Sequence, residues 1–309
     1  SKMKSEVYDR FKNYDKEHCW QYEIRQQNLF NDLKEVDLSP EHYKNLKIND
    51  FNFCYVDKEN KEECQKIKEF IERHEWLRKV PNRPTHRFVA RLKANGAIAG
   101  AIIMAIPNAF SHILGKENIN KEKLISRGAC ISWSPKNLGS WLIMKSIKWM
   151  VKNTEFRVFS AYSDPEAKEL GTVYQACNFI YLGQKSGTVK QYFDPKRPNA
   201  GWFSDREFRK RSKYKLYAQS LVINKDIWEK YFMNKWTPNW NFCSKELKKD
   251  LKEEEKKYRD SCLSRNLKSK HKYIYILGKS KKETKALKKL FYKLNPNMVD
   301  LDYPSERGK

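Results

Sequence analysis

"SAYSDPEAKELGTVYQACNFIYLG", residues 160–183, compresses an apolar run, a capped turn, an amphipathic stretch and a second apolar run into one segment. The residues before and at its start, "FRVFSAYS" (156–163), form a continuous apolar run of the kind found inside a sheet. Asp164 suits a helix N-cap and Pro165 a first helical position. Leu170, Val173, Tyr174 and Cys177 then recur on one helical face, and "FIYLG" resumes as a strand. A strand, a helix and a strand in that order require a crossover, so the two strands are expected to run parallel.

The same alternation extends upstream. "NKEECQKIKEFIERHEWLRK" (60–79) places Ile67, Phe70, Ile71 and His74 at amphipathic-helix spacing and is closed by "PNRP". "HRFVARLK" (86–93) and "AIAGAIIMAI" (97–106) read as a hairpin, because Asn95-Gly96 supplies the positive φ that a tight two-residue turn demands. "KLISRGACISW" (123–133) is a third strand. After it, "SPKNLGSWLIMKSIKWMVKN" has a single polar stripe at Lys145, Lys148 and Lys152, which describes a helix over 137–153 mostly buried against a sheet. The expected fold is α/β: a mixed antiparallel and parallel central sheet flanked by helices. The expected organisation is an N-terminal helical extension (1–58), a core (59–192) and a basic, aromatic-rich C-terminal region (193–309) with a late strand "HKYIYILG" and helix "KKETKALKKLFYKL".

Lysine and arginine number 63 against 38 acids, a formal charge of +25, which favours a polyanionic partner such as nucleic acid. Seven cysteines with no C-x-x-C pair, several within apolar periodic stretches, suit reduced thiols in a cytoplasmic protein. The longest apolar stretch, 96–107, is too short to span a bilayer, and no membrane partner is expected. Six scattered histidines offer no metal constellation.

Chemistry is most readily placed at "PKNLGS" (135–140), where a strand feeds a helix through a glycine-containing turn. Free backbone N–H groups at such a point bind anions, so Asn137, Leu138, Gly139 and Ser140 are candidate donors to a pyrophosphate; an ordinary capped helix start explains the same residues equally well.

With that turn, the segment 160–183 resembles the GNAT acyltransferase superfamily, and the match narrows. "RGACISWSPKNLGSWLIMKSIKWM", "AYSDPEAKELGTVYQACNFIYLG" and "HEWL" together look like the Mom family of phage DNA-modification proteins, a divergent GNAT branch, over about residues 65–192. The resemblance implies an acyl-CoA, with acetyl-CoA the first candidate, seated on the helix after the third main strand. It implies a carbamoylmethyl group placed on N6 of adenine, hiding phage DNA from restriction enzymes in the cytoplasm of an infected bacterium. It makes Tyr174 the phenol that protonates the departing thiolate. Arg127 would hold a phosphate or polarise a carbonyl, Asp164 would accept the amine proton or simply cap its turn, and His74 sits on an inward face as a packed residue or a base. Asn178 stands where the family has glycine at the helix end, and Glu75 where it commonly has tyrosine; the usual GNAT phosphate loop is replaced by "PKNLGS". Ser132 and Asn108 would line the site.

An adenine inside a duplex must be extruded, or the strand single, before its N6 can react. Arg206, Arg209, Lys210, Arg211, Lys213 and Lys215 are the candidate phosphate-tracking surface, and Trp202, Phe203, Phe208 and Tyr214 candidate platforms for unstacked bases. Two other readings remain open from the residues alone: an acyltransferase acting on RNA, a protein lysine or a small amine, and a non-catalytic nucleic-acid-binding protein on the same scaffold.

Overall fold

The computed structural model describes residues 17–186, 190–235, 237–298 and 301–309. Their contacts divide the chain into two compact units, the larger running to residue 186 and resuming at 268, the smaller spanning 190–267.

The larger unit is a seven-stranded mixed sheet with helices against it. It begins with helix α1 (Trp20–Val36) and strand β1 (Phe51–Val56), then α2 (Lys61–His74), β2 (Pro84–Leu92), β3 (Ile98–Ala105), β4 (Glu122–Cys130), α3 (Leu138–Asn153), β5 (Val158–Ser163), the short α4 (Thr172–Ala176) and β6 (Ile180–Ser186). β2 and β3 pair antiparallel about the Asn95-Gly96 turn, with Gly96 at φ +72°. α3 buries Leu138, Leu142, Ile143, Ile147, Met150 and Val151 against the sheet, as its single polar stripe requires. The expected mixed sheet is therefore observed.

Three details differ from the expectation. The first concerns residues 51–56, read as part of a helical extension; they form β1, the sheet's edge strand beside β2. The second concerns β5 and β6, which are not neighbours. Strand β10 (Lys270–Ile276) lies between them and pairs antiparallel with both. A strand's partner is a non-local property, and "HKYIYILG" carries no local mark of where it will insert.

The third concerns the stretch after Asp164, which is not one helix. A 3-10 turn (Pro165–Ala167) ends at Lys168 with φ +61°, and α4 starts only after Gly171 at φ +78°. A Cβ at residue 171 would collide with the Tyr273 ring and the Ser163 hydroxyl, so the chain can pass there only as glycine. Asp164 still caps its turn, its Oδ1 accepting the Glu166 N–H at 3.0 Å.

One feature of the sheet positions the site. β4 and β5 pair in parallel only from Glu122↔Val158 to Leu124↔Ser160, although β4 continues to Cys130 and β5 to Ser163. Beyond that point no pairing joins the two strands, a wedge in the sheet, and the chain runs from β4 to the start of α3 and from β5 to α4. Such a gap between strand ends is where α/β proteins commonly hold ligands.

The smaller unit has its own three-stranded sheet, β7 (Lys190–Phe193), β8 (Trp202–Ser204) and β9 (Leu263–Asn266), with β7 central, and its longer helices are α5 (Arg211–Ser220) and α6 (Lys245–Ser261). Phe203, Phe208 and Tyr214 are buried in its core with Tyr192, Tyr217, Trp228 and Leu251. These rings therefore do not stack on nucleotides as expected: a unit this small and polar spends its aromatics on its own core, where each buries a large area. Trp202 stays partly accessible, with the Arg265 guanidinium 4.3 Å from its ring centre. Among the described residues no helix is long and apolar enough to cross a membrane.

Candidate active site

At the mouth of the wedge, the start of α3 presents unused donors. Asn137 is exposed and its side chain makes no capping bond. The Leu138 N–H donates to Pro135 O and the Trp141 N–H to Asn137 O, both at 3.1 Å. The amides of Gly139 and Ser140 have no hydrogen-bond partner among the described residues. Of the four expected donors, then, Leu138 is already engaged, because the preceding proline turn folds back onto it; Gly139 and Ser140 are the groups free for an anion. Such a donor pair fits a nucleotide diphosphate, which needs main-chain N–H groups aimed outward and positive partial charge at a helix start.

Tyr174 lies on α4, whose end packs on the start of α3 through Cys177 Sγ and Ser140 O, 3.6 Å apart. Its half-buried ring contacts Phe179 and Tyr273, with centroids 5.2 and 5.6 Å away. Its hydroxyl makes no hydrogen bond among the described residues. Burial, then the nearby Glu169, Cys177 and Glu75, push the phenol well above its ordinary range, with Arg127 opposing them, so Tyr174 stays protonated at any working pH. Asn178 closes α4 in the left-handed conformation, φ +59°, which asparagine tolerates better than other side chains with a Cβ.

Around Tyr174 the chain gathers carboxyl groups. Glu75, just past α2, is 7 % exposed, and its Oε2 is buried with no hydrogen-bond partner. Burial raises its pKa to about 8 against the pull of Arg127, whose Nε lies 3.9 Å from Oε2. Glu169 sits on the fold-back between the 3-10 turn and α4. Its Oε1 accepts the Trp76 indole N–H at 2.9 Å and its Oε2 the Asp164 N–H at 3.0 Å, and burial raises its pKa to about 7. Arg127 on β4 also donates to Lys79 O and Ser126 O, at 2.8 and 2.7 Å, which fixes the guanidinium beside Glu75. Tyr174, Asp164 and Arg127 are thus brought into one neighbourhood. Sequence reasoning missed Glu75 and Glu169 as members of it. Glu75 was visible as an acid where the resembled family has a phenol; Glu169 gave no such sign, reading as a solvated charge on a continuous helix.

His74 is buried, its ring tilted against Phe70 with centroids 4.4 Å apart and its Nδ1 3.8 Å from Asp32. Burial lowers its pKa to about 4, so it is neutral and packed at working pH, a poor base. The region that said least as sequence holds these pieces together. From α1, Gln21 Oε1 accepts the Trp76 N–H at 3.0 Å, and Arg25 reaches the carbonyls of Ile131, Ser132 and Ser134. Asp32, fully buried, binds Arg73 at 2.7 Å and the Ser132 hydroxyl at 2.6 Å. Ser132 thus braces the loop before α3, and Asn108 lies exposed after β3.

In the smaller unit, Lys213 is buried with its ammonium 4.9 Å from the Tyr258 ring centre, so it does not present a charge to solvent as expected. Arg209 pairs with Asp205, Lys210 with Glu207, and Arg211 and Lys215 with Glu229, while Arg206 is exposed without an ion pair among the described residues. On α6, Lys245, Lys248, Lys252 and Lys256 are all exposed and recur at helical spacing along one face.

The model of the Mom protein family matches residues 60–260. No curated protein sequence matches the chain. Among solved structures it is similar to a ribosomal-protein-S5-alanine acetyltransferase from Vibrio fischeri (18 % identity, 38 % of this chain, 57 % of that one, TM-score 0.26). It is also similar to a putative acetyltransferase from Salmonella typhimurium with its cofactor acetyl-CoA (13 %, 45 % and 86 %, 0.32). A third is an N-acetyltransferase from Campylobacter jejuni (16 %, 44 % and 92 %, 0.28). The chain spans about 57 % of the length of the first of these.

Proposed function

The chain belongs to the Mom protein family, and from that premise we propose that it is a GNAT-like transferase that modifies the N6 amine of adenine in DNA. The group transferred is of the carbamoylmethyl type, the donor site takes an acyl-CoA at the start of α3, and the modified DNA resists restriction. The observation that carries the reading is the pairing, at one wedge, of unused Gly139 and Ser140 amides with an unbonded Tyr174 hydroxyl. The amides and the helix start would hold the diphosphate, and the phenol would meet the sulfur. Trp202, Arg206 and the α6 lysines are the groups in the smaller unit open to DNA.

The test is to express the chain in a bacterium, digest total DNA and RNA to nucleosides, and search by mass spectrometry for a shifted adenosine. A modified deoxyadenosine is the expected result; modification confined to RNA, or none, overturns the DNA assignment. A further expectation concerns the grip. Each phosphate contact contributes about 0.9 to the salt slope of duplex binding, so replacing Lys245, Lys248, Lys252 and Lys256 by glutamine should reduce the slope by about 3 to 4. A filter-binding salt titration reads this directly.

A further inference from the structure

Moving an acyl group from a thioester to an amine carries one proton from nitrogen to sulfur, in two transfers. The phenol of Tyr174 faces the sulfur's task, and the nitrogen's needs an acceptor. We infer that Glu75 is the general base of the transfer, its free Oε2 taking the proton that the substrate amine releases. This rests on the transferase reading above. With acetyl-CoA the step gives an amide rather than the N–CH2 bond of a carbamoylmethyl group: the N–C bond forms as the thioester C–S bond breaks. The electron pair leaves with sulfur, and the amine proton passes to the Glu75 carboxylate. Sulfur is hydrogen-bonded by the Tyr174 hydroxyl and is then protonated at the expense of the Glu75 acid, which restores the carboxylate.

The other candidates in the neighbourhood are already committed. Both oxygens of Glu169 accept hydrogen bonds, from Trp76 and from Asp164. Asp164 caps Glu166 through its Oδ1. His74 faces Asp32 and Phe70. Glu75 is the carboxyl in the cluster with a fully desolvated oxygen, Oε2, that accepts no hydrogen bond, the Leu77 amide serving the carboxyl's other side. Its backbone is extended just past the end of α2, and the next residue is pinned to α1 by Gln21, so the side chain is held in place without its carboxyl being consumed.

Groups from several elements set its proton affinity. Arg127 from β4, Lys270 from β10 and the Leu77 amide favour the carboxylate, while burial and Glu169 oppose it. A carboxyl balanced near pH 8 removes a proton well and returns it readily to a thiolate, whose ordinary pKa is about 8.5.

The experiment uses the purified full chain with acetyl-CoA and follows thiol release with a single-stranded adenine-containing oligonucleotide, with spermine and with a lysine peptide. The rate of the unaltered chain should climb with pH through a midpoint near pH 8 and level off above it. Glu75→Gln should lose about 100-fold or more and lose that ascending limb. It should keep its thermal stabilisation by acetyl-CoA, since the diphosphate site is untouched.

A readout independent of activity accompanies it. The folded carboxyl holds its proton up to about pH 8 and the unfolded one releases it near 4.5, so stability is full below 4.5 and falls as pH rises towards 8. Glu75→Gln should flatten that fall, leaving the smaller parallel contribution of Glu169. A variant within about threefold of the unaltered rate, or an unchanged stability profile, overturns the assignment. Should the oligonucleotide be inert while another amine reacts, the DNA reading fails and Glu75 is judged on that amine. Thiol release with none of the three overturns the base assignment as well.

Discussion

Tyr174→Phe is expected to remove the modified deoxyadenosine almost entirely, by about 100-fold or more, while leaving the fold intact. The substitution deletes one oxygen. The ring keeps its contacts with Phe179 and Tyr273, and the deleted hydroxyl has no hydrogen bond among the described residues to lose. A change of that kind costs within about 0.5 kcal/mol of stability, whereas a lost proton donor at a leaving group costs two to four orders of magnitude in rate, or roughly 3 to 5 kcal/mol of barrier. Nucleoside mass spectrometry and a thermal melt of the same variant separate the two. A melt lowered by several degrees with modification retained would assign Tyr174 to packing instead.

Asp32→Ala should destabilise the fold strongly although it lies outside the site. The carboxylate is completely buried, yet it joins three chain segments: α1, the end of α2 through Arg73, and the loop before α3 through Ser132. Two hydrogen bonds to a charged acceptor are lost, each contributing about 1.5 to 3 kcal/mol, and a cavity remains. Because Arg73 is partly exposed and can turn to water, the net cost is nearer about 3 kcal/mol than the sum. Urea unfolding should show that loss. Activity should fall with it even at temperatures where the variant is folded, because the braced segments carry Glu75 and the start of α3. A variant as stable as the unaltered chain would remove α1 from any supporting role.

Much of the fold was legible because its signals are local. The Asn95-Gly96 pair announces a hairpin, and the lysine stripe of 145, 148 and 152 announces a helix lying on a sheet. What escaped depends on distant partners. Asp32 sits in a polar helix and reads as solvated until Arg73 and Ser132 close over it. Glu169 turns inward only because the chain breaks at Lys168 and Gly171, and Gly171 is compelled by Tyr273, a residue on a strand supplied from far along the sequence. Phe203, Phe208 and Tyr214 resembled platforms because their spacing with basic residues is equally suited to a small core. Within the site, Tyr174, Asp164 and Arg127 came from resemblance; Glu75 and Glu169 came from geometry.

The insertion of β10 beside β6 has a consequence for the segment that connects them. The chain leaves the large sheet at Ser186 and re-enters it at Lys270, and those two residues are paired neighbours on adjacent antiparallel strands. Everything between them occupies the place of a hairpin connection. The cost of closing a loop grows only with the logarithm of its length, so the sheet is nearly indifferent to how long that excursion is. A segment joined in this way can be exchanged wholesale between Ser186 and Lys270 without rebuilding the sheet that carries it.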